Sequence, residues 1–231
     1  GLYYELSEIM ERENKDMIVN MLYVRSSLER ANESRREMEA VNVKLLKQSE
    51  TDQMTGLANR YRLNAYSEKV LDYCYEHRLP LAMEILDIDF FKQYNDNYGH
   101  QQGDECIIAI ADELKKMEDR QTFCARYGGD EFIIIYAGIS AEEVHAKAGA
   151  LRQNIMNLKM EHLYSNALPI VTISQGISYG VPEEGNRSWD FLHTADMLLY
   201  QVKKRSRNDI CIADIRGQEL DLSSKQEKVE P

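Results

Sequence analysis

The sequence predicts an α/β fold: a mixed, mostly antiparallel central sheet flanked by helices, preceded by a long N-terminal helix. Three observations carry this. Apolar runs with strand character at 81–86, 122–125, 132–136 and 169–179 interleave with longer stretches of helical periodicity. Two of the runs are joined through Gly128-Gly129, which places a tight antiparallel hairpin inside an otherwise alternating chain. Residues 2–50 contain neither Gly nor Pro and carry an apolar seven-residue repeat.

The elements follow in order. Tyr3, Met10, Met17, Val24, Ala31, Met38 and Leu45 form one half of a heptad seam. The companion half, Ser7, Asn14, Met21, Leu28, Arg35, Asn42 and Ser49, is mixed. This predicts a long helix pairing as a parallel coiled coil over 1–50, with polar seam positions that weaken it and fix its register. The alternative is a lone helix packed on its own domain. A marginal seam suits a signalling linker that switches between arrangements. Residues 60–76 read as a helix, with Leu63, Tyr66, Val70, Leu71 and Tyr73 apolar. Pro80 precedes the first buried strand. Residues 102–117 read as a helix with Ile107, Ile110, Ala111 and Leu114 inward. After the hairpin come a helix over 141–160, a β-rich run over 169–179, a helix over 189–204 and a short closing strand over 209–213. Residues 51–215 form the predicted domain, and 216–231 read as a polar, flexible tail.

Length and charge bound the function. A chain of 231 residues accommodates one domain plus an appendage. A net charge of −11 is a poor match for DNA or RNA phosphates, so no nucleic-acid partner is expected. Cys74, Cys106, Cys124 and Cys211 are widely spaced and mostly in apolar stretches, which reads as reduced, buried thiols in a cytoplasmic protein. No apolar run reaches membrane-spanning length, and no direct membrane contact is expected. The chain begins with Gly, so an upstream region is expected beyond it.

Chemistry concentrates in two acidic segments. Arg126-Tyr-Gly-Gly-Asp-Glu-Phe132 sets two carboxylates, Asp130 and Glu131, beside a tip without side chains at Gly128 and Gly129, where a bulky ligand can approach the backbone. Taken alone, this is also ordinary turn chemistry. The first apolar strand ends in Asp87-Ile88-Asp89. Alternation puts Asp87 and Asp89 on one face. Asp89 reads as a cap for the next helix, and Asp87 as a metal ligand. Oxygen ligands from two strands suit a hard divalent cation that arrives with substrate phosphates.

These segments resemble the GGDEF family of diguanylate cyclases. The resemblance rests on Gly128-Gly-Asp-Glu-Phe132, on Asp87-Ile-Asp-Phe-Phe-Lys92, and on the Asn95…Gly103-Asp104 spacing. It is supported by the opening run Asp52-Gln-Met-Thr-Gly-Leu-Ala-Asn-Arg60 and the closing run Ala195-Asp-Met-Leu-Leu-Tyr200 through Asn208. It spans about residues 50–213, in collinear order. It implies a fold like nucleotidyl cyclases and polymerase palms, and the joining of two GTP molecules into cyclic di-GMP with release of two pyrophosphates. It implies Mg²⁺ (or Mn²⁺), held by Asp87, Asp130, the Ile88 carbonyl and Glu131. Glu131 is a second-metal ligand or a base for the 3′-hydroxyl, and the two roles stay open. Asp104 and Asn95 would read guanine, whose N1–H and N2–H₂ one carboxylate can accept together. The Phe90 and Phe91 N–H groups, Lys203 and Arg207 would hold phosphates, and Lys92 joins the catalytic set. Each subunit would hold one GTP, so the enzyme would work as a homodimer through the coiled coil and facing active sites, under an upstream sensor. The second reading is a GTP-holding regulatory module without turnover.

The chain departs from the family pattern in places. The inhibitory Arg-x-x-Asp product site falls on Asp119 and Thr122, so strong feedback through it is not expected. Gln175 interrupts a strand at a place usually apolar. Ser206 stands where Gly is common, which predicts a costlier turn before Arg207.

Overall fold

The structure is a computed structural model that describes residues 50–218 and Leu220, together with Met17, Met21, 24–36, Met38, Glu39, Val41 and Leu45. It divides into two units, residues 1–49 and residues 50–231. In the first, every described residue is helical. Arg25–Glu29 and Arg35–Glu39 form i,i+4 ion pairs along it at 3.0 and 3.7 Å. Among the described apolar seam residues, Met17, Met21, Val24, Leu28, Met38 and Leu45 are more than half exposed, and Ala31 is exposed as well. Tyr3, Ser7, Met10, Asn14, Asn42 and Ser49 lie outside the described residues.

In the second unit the chain runs through helix α1 (Arg60–His77), strand β1 (Leu81–Ile88), helices α2 (Phe91–Tyr98) and α3 (His100–Met117), strands β2 (Thr122–Gly128) and β3 (Glu131–Ala137), helix α4 (Ala141–Asn157), strand β4 (Ile173–Gly180), helix α5 (Ser188–Arg205) and strand β5 (Ile210–Asp214). The strands form one sheet in the order β2-β3-β1-β4-β5. β1 is central and antiparallel to both β3 and β4, and only β4 and β5 are parallel. This is the mixed, mostly antiparallel sheet that the sequence predicts.

Alternation along β1 divides the interior. Ala82, Leu86 and Ile88 face the core built with Ile107, Ile110 and Leu114 of α3 and Val144, Ala148 and Leu151 of α4. Leu81 and Met83 face the other core, with Leu63, Val70 and Leu71 of α1 and Phe191 of α5. Glycine decides how α5 sits. A Cβ on Gly176 of β4 would lie 2.2 Å from the Ala195 carbonyl oxygen and 2.3 Å from the Leu199 nitrogen. The helix backbone therefore rests directly on the sheet, which fixes where the C-terminal end of α5 delivers its cations.

Several elements differ from expectation. α2 covers a stretch to which the sequence pattern assigns no element; although Asn95-Asp-Asn-Tyr-Gly is rich in turn-forming residues, the chain breaks only at Gly99, whose φ is +86°. Packing of Phe91 and Tyr94 into the core overrides the local turn preference. The hairpin turn is Gly129-Asp130, since Gly128 pairs with Glu131. α4 stops at Asn157, and the chain reaches β4 through an isolated bridge between Glu161 and Ile170. At the start of the expected tail, Gly217 and Gln218 turn back on Asp214, and the Leu220 N–H donates to the Ile212 carbonyl at 3.1 Å. All four cysteines are buried thiols, as expected. No described helix is long and apolar enough to cross a membrane.

Candidate active site

The site forms at one end of the sheet, where β1 stops and the β2–β3 hairpin turns. Asp87 is directly opposite Glu131 in the β1–β3 register. Both side chains lie on the α5 face, because each is an even number of residues from the neighbours that fill that core, Ile85 and Ile133. Lys203, in the last turn of α5, reaches Asp87 with Nζ to Oδ2 at 2.7 Å. Burial pushes the Asp87 carboxyl up to about 6; Lys203 pulls against that rise, while Asp130 and Glu131 reinforce it. Glu131 is also raised, first by burial, with Lys203 opposing and Asp130 and Asp196 adding to the rise. Asp196, about two turns before Lys203 on α5, is therefore a neighbour of the site.

A partly buried ion pair builds the hairpin tip. Arg126 Nε and Nη2 donate to the Gly129 carbonyl at 3.1 and 2.8 Å, and Nη1 pairs with Asp52 Oδ1 at 3.1 Å. Against the upward push of burial, the Thr55 hydroxyl and N–H, with Arg126, hold Asp52 below the usual carboxylate range. The opening run of the sequence thus fixes the arginine that grips the turn. Gly129 has φ +55°, and a Cβ at either Gly128 or Gly129 would meet no atom within 4 Å. The approach to the tip is open.

Of the phosphate-binding candidates, Lys203 stands with Asp87, while Arg207 meets Phe90 at the start of α2. Phe90 has φ +57° and precedes α2 without a side-chain cap, so the first N–H groups of that helix carry no capping side chain. The Arg207 guanidinium lies 4.2 Å from the centre of the Phe90 ring. Lys92 is exposed in the first turn of α2. Asn95 and Asp104 belong to α2 and α3. Asn95 Oδ1 is buried with no hydrogen-bond partner, and a Cβ on Gly103 would lie 1.8 Å from it. Gly103 is what lets Asn95 occupy its place beside Asp104, which is exposed.

Two expectations change. Asp89 does not cap α2; it is fully buried and accepts hydrogen bonds from Thr172, Ser174 and Asn208 instead. Ser206 has φ −140°, and the left-handed residues are Arg207 and Asn208, with φ +52° and +44°. The turn before Arg207 therefore places no demand for glycine on position 206. His162 carries no motif signal in the sequence, yet it is buried and its Nε2 sits 3.2 Å from the Phe90 carbonyl. A helix-opening turn held from a distant loop leaves no mark in local spacing. At the place of the inhibitory pair, Lys147 donates to both Asp119 and Thr122 at 2.8 Å.

The set Asp87, Asp130 and Glu131 offers only oxygen ligands, and Asp130 lies close enough to raise the carboxyls of both others, a donor chemistry that fits a hard divalent cation. Ile88, the last residue of β1, adds a backbone carbonyl beside it. Among the described residues no group of three His, Cys, Asp or Glu side chains is arranged to hold a metal ion by itself. Mg²⁺ is ordinarily held by one or two carboxylates together with substrate phosphates and water.

Residues 49–209 match the family model described as diguanylate cyclase, GGDEF domain. The chain belongs to the GGDEF family. Among curated GGDEF relatives, a probable diguanylate cyclase, DgcC of Escherichia coli, is 34% identical over 163 residues, which is 69% of this chain and 42% of the relative. Diguanylate cyclase A of Treponema denticola is 31% identical over 179 residues, or 74% and 46%. The chain spans less than half the length of these relatives. Among solved GGDEF structures, the coiled coil and GGDEF domain of DgcB from Caulobacter crescentus, in complex with c-di-GMP, superposes with a TM-score of 0.66 at 25% identity, covering 82% of this chain and 99% of that one. The active GGEEF domain of a Vibrio cholerae diguanylate cyclase superposes with a TM-score of 0.58 at 30% identity, covering 68% and 97%.

Proposed function

We propose that this GGDEF chain condenses two GTP molecules into cyclic di-GMP, each 3′-hydroxyl attacking the α-phosphate of the other nucleotide with pyrophosphate leaving. The observation that carries this is the register that sets Asp87 opposite Glu131, beside Asp130 and under Lys203. Asp87, Asp130, Glu131 and the Ile88 carbonyl would hold Mg²⁺ or Mn²⁺. The chemistry such an ion supplies when bound is neutralisation of phosphate charge and a lowered pKa for the attacking hydroxyl.

The chain's own groups do the rest. Asp104 accepts from guanine N1–H and N2–H₂, and Asn95 offers a second contact to the base. A carboxylate at 104 would be left unsatisfied by adenine, which supports GTP as the nucleotide. Phe90 and Phe91 N–H groups at the start of α2 bind terminal phosphate oxygens, with Arg207 alongside and Lys203 and Lys92 adding charge. Glu131 would either hold a second metal ion or accept the proton of the 3′-hydroxyl. Gly128 and Gly129 keep the approach clear for the nucleotide. Because each subunit holds one GTP, two chains must face each other across a two-fold axis, with the N-terminal helices pairing as a coiled coil that relays an upstream sensor. A need for GTP puts this domain on the cytoplasmic side.

The test is incubation of the purified chain with GTP and Mg²⁺, with products separated by chromatography. Cyclic di-GMP is expected from the parent, and none from Asp130→Ala. GTP bound by a demonstrated dimer without any product would sink the cyclase reading and leave a nucleotide-holding module.

A further inference from the structure

Asp89 has no solvent exposure and no part in the chemistry proposed for the site. Its Oδ2 accepts from the Thr172 hydroxyl at 2.8 Å and from the Asn208 N–H at 2.9 Å. Its Oδ1 accepts from the Ser174 hydroxyl at 2.6 Å and faces the Arg207 guanidinium at 3.6 Å. Its own N–H donates to the Thr172 carbonyl at 2.9 Å. One carboxylate therefore ties the end of β1 to the start of β4 and to the turn that follows α5.

Both turns it touches are strained. Phe90, the next residue, has φ +57°, and Arg207 and Asn208 are left-handed in succession. Such a conformation is costly without glycine, and persists only where surrounding contacts over-determine it. Those contacts surround Asp89. The Asn208 N–H is taken by Asp89, and the Asn208 carbonyl accepts from Arg152 Nη1 at 3.0 Å. The Phe90 carbonyl lies against His162, and the Phe90 ring against the Arg207 guanidinium. Arg207 is thereby aimed at the same helix opening that Phe90 and Phe91 form.

We infer that Asp89 is a positioning residue for the polyphosphate end of the substrate: it holds Arg207 over the α2 opening and so sets discrimination between a nucleoside triphosphate and shorter nucleotides. The inference rests on the GTP-binding reading of the site. A plain structural staple would support the whole domain evenly. A positioning role acts through Arg207 alone and leaves base recognition at Asn95 and Asp104 untouched. The two differ because Asp89→Asn is isosteric. The carboxamide oxygen can keep the Asn208 and Thr172 bonds, and the amide can donate to Ser174, whose hydroxyl rotates. What is lost is the charge facing Arg207.

The experiment is calorimetric titration of the full chain with 3′-deoxy-GTP and 3′-deoxy-GMP in Mg²⁺, neither of which can cyclise. Asp89→Asn is expected to weaken 3′-deoxy-GTP roughly tenfold to a hundredfold, the scale of one charge-assisted hydrogen bond, and to leave 3′-deoxy-GMP unchanged. In an Arg207→Ala background the same substitution is expected to change nothing further. Equal weakening of both nucleotides, or an undiminished effect without Arg207, would overturn the positioning role in favour of a staple. If Asp89→Asn does not fold, Thr172→Val with Ser174→Ala loosens the carboxylate while keeping its charge; selective loss of the triphosphate is again expected, and equal loss overturns the inference. A parent chain that binds neither nucleotide would remove the GTP-binding reading itself, and this inference with it.

Discussion

Glu84 and Asp87 stand three residues apart on β1 and face opposite sides of the sheet. Both carboxyls are raised by burial, Glu84 to about 7 and Asp87 to about 6. Their surroundings differ in kind. Glu84 has no exposure and answers to neutral groups: the Tyr136 hydroxyl and Gln175 Nε2 each donate to it at 2.7 Å. The Gln175 Nε2 also donates to the Ala148 carbonyl at 3.2 Å. Asp87 sits at the strand end with an ammonium at 2.7 Å and two further carboxylates acting on it. A raised pKa therefore arises in two settings on one strand. In both places burial comes first; in the core only neutral groups answer it, while at the sheet end an ammonium opposes the rise and two neighbouring carboxylates add to it. Gln175, the polar interruption in an apolar strand, belongs to the first case and not to the site.

Asp87→Asn should give the largest effect. Cyclic di-GMP formation is expected to fall roughly a thousandfold, a loss of several kcal/mol of charge stabilisation, while the fold is retained. A variant that keeps its activity would erase the distinction between the two residues. Glu84→Gln should do the reverse. A glutamate whose folded pKa is raised to about 7 binds its proton more tightly folded than unfolded, so stability is lost as pH rises from about 4.5 through about 7. The variant should therefore match the parent near pH 5 and exceed it at pH 8, by up to the order of 3 kcal/mol in urea unfolding, with activity retained. A half-turn of the Gln175 amide would present Oε1, which has no partner among the described residues, to the new donor.

Gly176→Ala should cost about 1–3 kcal/mol and weaken GTP binding as well, because α5 must lift from the sheet and carry Lys203 with it. Lys203→Met is the finest probe. Without the ammonium the Asp87 carboxyl should rise above about 6, so Mn²⁺ binding in the absence of nucleotide should be lost at a higher pH as acid is added. Electron paramagnetic resonance across the pH range reads that shift. An unmoved acid limb would mean that Lys203 does not govern Asp87.

Local patterns in the chain were enough for the sheet class, the succession of strands and helices, and the residues worth watching. These follow from alternation, apolar runs and short motifs, all properties of neighbours along the chain. Asp87, Asp130 and Glu131 were legible in this way because each motif is local. The helix over Asn95 was not, since local turn chemistry lost to burial of Phe91 and Tyr94. It took the folded arrangement to show that Asp52 serves the hairpin through Arg126, that Gly103 makes room for Asn95, and that His162 holds the Phe90 carbonyl. The same arrangement took Asp89 from a helix cap to a buried tie between two strained turns. Such roles join residues far apart in the chain, as the 119 positions between Asp89 and Asn208 illustrate. No spacing rule encodes them, because the partner is chosen by how the layers stack and by which buried polar groups must be satisfied.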